Sequence, residues 1–162
     1  MATAVRIRIV VPLGSLVLAV AVPAKAAPID GLHFLVGTWK CTYRAGTVSL
    51  PYAATFAYDL AGHTLRETTS SAVGADEEVF AYDPQRRGWT TVILDDHGSA
   101  TVMRGTGRDQ NHIAYRSVYP DASIAETIDR LSATEYAIHA TVRLGGKTMS
   151  SVDTCTRHTP SR

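Results

Sequence analysis

The sequence predicts an all-β protein, a closed antiparallel up-and-down barrel of about ten strands with a short N-terminal helix or turn. Segments rich in Thr, Val, Ile, Tyr and Phe, with apolar side chains at alternate positions, recur every ~8–12 residues. The links between them are short and rich in Gly, Asp and Pro, so each strand is expected to pair with the next. Two distant cysteines, Cys41 and Cys155, lie on the first and last of these segments.

Residues 1–26 have the pattern of a secretory signal peptide. A short basic stretch, Arg6 to Arg8, precedes an apolar run from Ile9 to Val22, and Ala24-Lys25-Ala26 is a small-x-small cleavage pattern. A membrane anchor is the alternative, but the run is shorter than the ~20 apolar residues that a spanning helix needs and contains a proline. We therefore expect an exported protein, in the periplasm or the medium, whose barrel domain is formed by residues 27–162.

The charge of the mature chain argues against two classes of partner. The whole chain has 16 Lys and Arg against 15 Asp and Glu, and the leader removes three basic residues and no acidic one, which leaves a formal charge of −2. The remaining sequence has no cluster of Lys and Arg of the kind that nucleic acids or anionic membranes attract. We expect no nucleic-acid partner and no membrane partner after signal cleavage. The oligomeric state stays open.

Alternation of apolar and polar residues defines the expected strands. It is clearest from Glu135 to Leu144, where Tyr136 and Ile138 share one face and His139 lies on the other. A short apolar helix or turn, Ile29 to Val36, precedes the first strand. The expected strands are Gly37–Arg44, Tyr52–Leu60, His63–Ser70, Glu77–Asp83, Trp89–Asp95, Ser99–Gly105, His112–Tyr119, Ile124–Leu131, Glu135–Leu144 and Thr148–Arg157.

One of these segments has two interpretations. Ser123-Ile124-Ala125-Glu126 has the pattern of a helical capping box, so Ile124 to Leu131 could form two helical turns. Ile124 and Ile128 also share a face in a strand, and the short link that follows suits a hairpin. We expect a strand.

The positions of the two cysteines indicate that the sheet closes on itself. An exported compartment allows a disulfide to persist, and a bridge between Cys41 and Cys155 requires the first and last strands to be neighbours. Closure also removes both exposed sheet edges. The alternatives are two free thiols or half of a metal site, although no CxxC spacing is present. An open sandwich whose outer strands are linked would accommodate the same bridge.

The segment Leu35-Val36-Gly37-Thr38-Trp39 resembles the start of the barrel in the calycin superfamily. The similarity is to secreted bacterial lipocalin-like proteins of uncharacterised function and, more distantly, to the nitrobindin group of ten-stranded barrels. It extends loosely from Leu32 to His158. The resemblance implies a structural cation–π contact in which Trp39 packs at the barrel base beneath Arg157.

A barrel of ten strands is wide enough to hold a small apolar or amphipathic molecule if its inward side chains leave room. Aromatic side chains would form the walls of such a pocket, and one or two polar groups would orient the ligand. The expected ligand-binding residues are Phe56, Tyr58, Phe80, Tyr82 and Tyr115, with Arg116 or Glu67 as orienting groups. The alternative is that these rings fill the interior.

The sequence contains few motifs that are typical of cofactor binding or catalysis. Nitrobindin-like haem binding would use His158, but the paired-histidine run of that group is missing, so we expect no haem and no other cofactor. Asp95-Asp96-His97-Gly98 is interpreted as a turn rather than a metal site, and no GxSxG, HExxH or P-loop pattern occurs. We therefore expect a binding protein without catalytic or metal-ligating residues. The alternatives are a barrel-pocket isomerase, cyclase or hydrolase of a hydrophobic substrate, and a structural module with a filled core.

Overall fold

The computed structural model describes residues 28–106 and 111–159, and it confirms the closed ten-stranded antiparallel meander. Every strand pairs with its neighbours in the chain, and the last strand pairs with the first. A 3-10 helix, Pro28–Leu35, precedes the barrel. The strands are β1 (Gly37–Ala45), β2 (Val48–Asp59), β3 (Thr64–Ser71), β4 (Gly74–Asp83), β5 (Gly88–Asp95), β6 (Ala100–Thr106), β7 (His112–Tyr119), β8 (Ile124–Arg130), β9 (Glu135–Leu144) and β10 (Lys147–Arg157).

Two strands, β2 and β4, begin three or more residues earlier than the sequence predicts. β2 starts at Val48, because β1 and β2 stay paired up to a tight hairpin that turns at Gly46 with a positive φ of 57°. β4 likewise starts at Gly74, paired with Ser71 across another short turn. The ambiguous segment from Ile124 is a strand, paired with both β7 and β9. The expected signal peptide lies outside the described residues.

The N-terminal helix closes one end of the barrel, which we call the closed end. Ile29, Leu32 and Leu35 of this helix are buried against the barrel core. The indole nitrogen of Trp39, at the start of β1, donates a hydrogen bond to the carbonyl oxygen of Leu35 at 2.6 Å. Among the described residues, no helix has the length and apolar character to span a membrane.

Arg157 at the end of β10 stabilises the junction between the helix and β1. Its guanidinium carbon lies 4.3 Å from the ring centroid of Trp39, which is the cation–π geometry that the resemblance implied. The same guanidinium donates hydrogen bonds to the carbonyl oxygens of Val36, at 2.7 Å, and Phe34. Carbonyls at the end of a helix lack partners within the helix, so Arg157 satisfies groups that would otherwise be unpaired.

This junction explains the glycine of the Gly-x-Trp motif. Gly37 has a φ of +126°, and a Cβ atom there would lie 2.7 Å from Nη1 of Arg157. We expect Gly37→Ala to lower the free energy of unfolding by about 1–3 kcal/mol, because it strains the backbone and displaces the guanidinium. Urea denaturation would measure the change. Gly46→Ala is the control, since Gly46 also has positive φ but open space around it; an equal or larger loss for Gly46→Ala would contradict the explanation.

The expected disulfide is present. Cys41 and Cys155 are directly opposite partners in the β1–β10 ladder, with Cα atoms 4.1 Å apart. Both residues are buried. The bridge therefore crosslinks the strand pair that closes the barrel, and it is typical of proteins that fold in an oxidising compartment.

Candidate functional site

The barrel interior is filled near the closed end. Phe56, Phe80, Tyr115 and Tyr136 are buried there in a chain of ring contacts, with centroids 6.1 Å apart for Phe56–Tyr136 and 6.3 Å apart for both Phe56–Phe80 and Phe80–Tyr115. Trp39 meets Tyr136 edge-on at 4.8 Å. These rings fill the interior next to the closed end, and we call this layer of rings the floor.

Above this floor the interior is open. We call this space the cup; it is a cavity of about 420 Å³ whose lining at the mouth includes exposed residues of the β3–β4 and β5–β6 hairpins. Its size falls within the range of small-molecule sites. The cup is lined by Tyr43, Leu50, Tyr52, Glu67, Thr69, Ser71, Val73, Gly74, Ala75, Asp76, Glu78, Ile93, Asp95, Asp96, His97, Glu126, Ile138, Ala140 and Asp153.

Carboxyl groups dominate the polar lining of the cup. Strand alternation puts them there: Glu67 is two residues after buried Leu65, and the other acids precede buried residues by two or four positions. Four strands of the barrel supply these acids. The inward acids are Glu67 on β3, Asp76 and Glu78 on β4, Glu126 on β8 and Asp153 on β10.

The environment of these acids favours their neutral forms. Burial, reinforced by the surrounding carboxylates, raises the pKa of Glu67 and of Glu78 well above the usual range. Burial, with smaller contributions from Asp153 and Asp76, raises the pKa of Glu126 to about 7. Burial also raises the pKa of Asp153 to about 6. Glu126 and Asp153 therefore titrate near neutral pH, where ordinary surface carboxylates are fully ionised.

Few protein groups form hydrogen bonds or ion pairs with these carboxyl groups. Glu78 accepts a hydrogen bond from the hydroxyl of buried Thr91. Oδ1 of Asp153 is buried and has no hydrogen-bond partner among the described residues. The one basic side chain among the described residues that line the cup is His97, which is largely exposed and whose Nδ1 lies 2.9 Å from Oδ1 of Asp96. The cup is thus an acidic cavity without an internal counter-ion.

Of the residues predicted to bind a ligand, Glu67 is the one that lines the cup. Phe56, Phe80 and Tyr115 form the floor, and Tyr58 and Tyr82 lie at the closed end. Tyr58 stacks beside His33 of the N-terminal helix, with its hydroxyl oxygen 3.2 Å from the histidine Nδ1. Tyr82 packs edge-on against Trp89 at 5.1 Å.

Arg116 does not face the interior. It follows inward-facing Tyr115 directly on β7, so its side chain lies on the outer face of the barrel, where it is exposed and opposite Arg104 of β6. Adjacent strand residues point to opposite faces, so the side chains of Tyr115 and Arg116 lie on opposite sides of the barrel wall. His158, the position considered for haem, lies at the closed end, where its backbone nitrogen donates to the carbonyl oxygen of Thr38 at 2.8 Å.

The sequence analysis identified Glu67 but not the other inward acids of the cup. On β4, Glu77 points outward, with Oε1 2.8 Å from Nη1 of Arg66. Glu78 has the same parity as Phe80, which had been assigned to the interior, so the signal was available. No group of three or more His, Cys, Asp or Glu in the described parts of the chain has the geometry to hold a metal ion.

Comparison with known proteins supports the fold. No protein-family model matches the chain, and no curated protein matches it either. Among solved structures, the S-type phycobiliprotein lyase CPES from Guillardia theta is similar, with a TM-score of 0.60 and 12% sequence identity over 82% of this chain and 93% of that chain. The chain therefore shares the overall barrel fold of that protein, and the low identity carries no further conclusion.

Proposed function

We propose that this protein is an exported lipocalin-like binding protein that holds one small amphipathic molecule in the cup. The cavity of about 420 Å³ above a solid floor carries this proposal. Its apolar walls, Leu50, Ile93 and Ile138, can contact a hydrocarbon part, while the carboxyl groups orient polar atoms. The similar lyase is named for action on a phycobiliprotein, which fits a barrel that handles small molecules. The disulfide fits an exported protein.

Occupation of the cup can be tested with the neutral fluorescent probe N-phenyl-1-naphthylamine. We expect saturable binding of one probe per chain, and at least tenfold weaker binding to Ala140→Trp, because an indole added at this cup-lining position fills the cavity. Thr141→Trp is the matched control, since Thr141 is exposed on the outer face of the same strand. Equal affinity for wild type and Ala140→Trp would place the bound probe elsewhere and reject the proposal.

An enzyme acting in the same cup is the second candidate. A general acid or base works best with a pKa near the working pH, and the pKa of Glu126, about 7, meets this condition. Native mass spectrometry of the purified protein, before and after incubation with the molecule it retains, distinguishes the two functions. Conversion of that molecule by wild type but not by Glu126→Gln would favour an isomerase, cyclase or hydrolase. An unchanged molecule in both would favour a carrier.

A further inference from the structure

We propose that the cup selects organic cations, and that the natural ligand is an amphipathic molecule with a protonated amine held by Glu67 and the acids around it. This inference rests on the proposed binding function and names the class of ligand. It is based on the carboxyl groups that line the cavity, for which the described protein residues provide few hydrogen-bond donors or basic side chains. A ligand that brings the missing positive charge would resolve this mismatch.

Glu67 is the central acid of the proposed cation site. It is only 3% exposed, yet it lines the cup, and no hydrogen bond to its carboxylate occurs among the described residues. Buried carboxylates are normally paired or hydrogen-bonded, because an uncompensated buried polar group destabilises the fold. Asp153 lines the same cavity from β10, and its buried Oδ1 has no hydrogen-bond partner among the described residues. Two side chains that line one space therefore each have a carboxyl oxygen that the described structure leaves without a hydrogen bond.

Basic residues beside these acids already pair with other carboxylates. Arg66, adjacent to Glu67 on β3, points outward and forms ion pairs with Asp59 and Glu77. His97 at the mouth lies beside Asp96. An anionic ligand would meet seven carboxyl groups in this cavity and, among the described lining residues, no basic side chain except His97, whereas a cation would favour the ionised acids and gain charge-assisted hydrogen bonds.

The rest of the lining favours an organic cation over a metal ion. The acids of the described residues do not form a metal-binding group, so they are spread too widely for one small ion. Tyr43 and Tyr52 line the cup, and aromatic rings attract ammonium groups. Leu50, Ile93 and Ile138 can contact an alkyl or aromatic part of the ligand. An amine joined to an apolar body would use both kinds of surface.

Three probes that share a dansyl group and an alkyl chain test the selectivity: dansylcadaverine, which is cationic, N-pentyl dansylamide, which is neutral, and dansyl-aminohexanoate, which is anionic. At neutral pH we expect the cation to bind about tenfold to a hundredfold more tightly than the neutral probe, as expected for one charge-assisted contact. The anion should bind more weakly than either. Isothermal titration calorimetry would measure all three affinities.

Two variants connect the selectivity with the cup. Glu67→Gln keeps the shape of the side chain but removes its charge, and we expect the preference for the cation to fall at least fivefold. Glu77→Gln, on the outer face, should leave the preference unchanged. Since Gln at position 67 could disturb the fold, Glu126→Gln provides a second test of the same kind, and thermal melts of both variants establish that each is folded.

The possible outcomes separate the two proposals. If the neutral probe binds as well as the cation, and Ala140→Trp weakens both, the cup is a binding site but the charge selectivity is wrong. If none of the three probes binds, the binding function itself is rejected. If calcium or zinc ions displace dansylcadaverine at stoichiometric concentration, the acids form a metal site and the organic-cation proposal is overturned.

Discussion

Replacing both cysteines with alanine is expected to lower the free energy of unfolding by about 4 kcal/mol. The bridge joins residues separated by 114 positions, and a crosslink that closes a loop of roughly 100 residues stabilises by about 4.7 kcal/mol in the chain-entropy model. Native domains are stable by only about 5–15 kcal/mol, so the loss would remove a large fraction of the total. Urea denaturation of the Cys41→Ala/Cys155→Ala variant would measure it.

The variant should still form the barrel. Backbone pairing between β1 and β10 runs from Trp39–Arg157 to Arg44–Val152 and does not depend on the bridge. Reduction of the wild-type protein provides the control, because it breaks the bond while leaving both sulfur atoms in place. We expect reduction and the double variant to lower stability by similar amounts. A loss below about 1 kcal/mol in both would contradict a main role of the crosslink in restricting the unfolded chain.

The architecture was predictable because its signals are local and repeated. Alternation along Glu135–Leu144 identifies a strand without any knowledge of its neighbours, and the short links leave few possible pairings. Cys41 and Cys155 add the one long-range constraint, and the observed register puts them directly opposite each other. The Gly37-Thr38-Trp39 motif was identified by resemblance, and the approach of Arg157 now gives it a physical reason.

The candidate site was less predictable because a cavity is a property of packing, not of any one strand. Phe56 and Phe80 were correctly assigned to the inside, but nothing in the sequence indicates that their rings meet and fill the closed half of the barrel. Which half stays open depends on the N-terminal helix and on the height at which each side chain enters the interior. The height of each side chain along the barrel follows only from the registers of all ten strands.

Most acids of the cup were missed in the sequence analysis for a different reason. Glu78 and Glu126 each have the strand parity of a buried residue, so alternation alone places them inside. The sequence analysis did not apply this rule to them, and charged residues are in general rarely buried. These two residues lie far apart in the chain, so their shared location depends on sheet closure. Strict use of parity on every strand would have placed these acids inside the barrel, although not in a cavity.

The acidic cup also predicts that the ligand-free protein loses stability as the pH rises from 5 to 8. A carboxyl group whose pKa is raised in the folded state binds more protons there than in the unfolded chain. Its stabilising contribution is complete below the unfolded pKa, near 4.5, and is lost as the pH rises through the folded pKa. For Glu126 that window extends to about pH 7.

The expected size of this effect is large for a single group. Each unit of pKa shift corresponds to about 1.4 kcal/mol, so Glu126 alone would account for a loss on the order of 3 kcal/mol between the two limits. Glu67 and Glu78 act in the same direction. The titratable groups that face these acids from the surrounding elements are Tyr43, Tyr52, Asp76, Asp95, Tyr115 and Asp153, with Asp96 and His97 at the mouth.

Thermal melts at pH 5 and pH 8 would measure the change, and we expect the Tm to fall by on the order of 10 °C. Glu126→Gln cannot ionise, so its Tm should fall less and should exceed that of wild type at pH 8. Glu77→Gln, one residue from Glu78 but on the outer face beside Arg66, should keep the wild-type pH dependence. Saturation with dansylcadaverine at pH 8 should restore part of the lost stability, because a bound cation favours the ionised acids. A Tm that rises with pH over this range would show that the carboxyl groups of the cup are compensated within the fold.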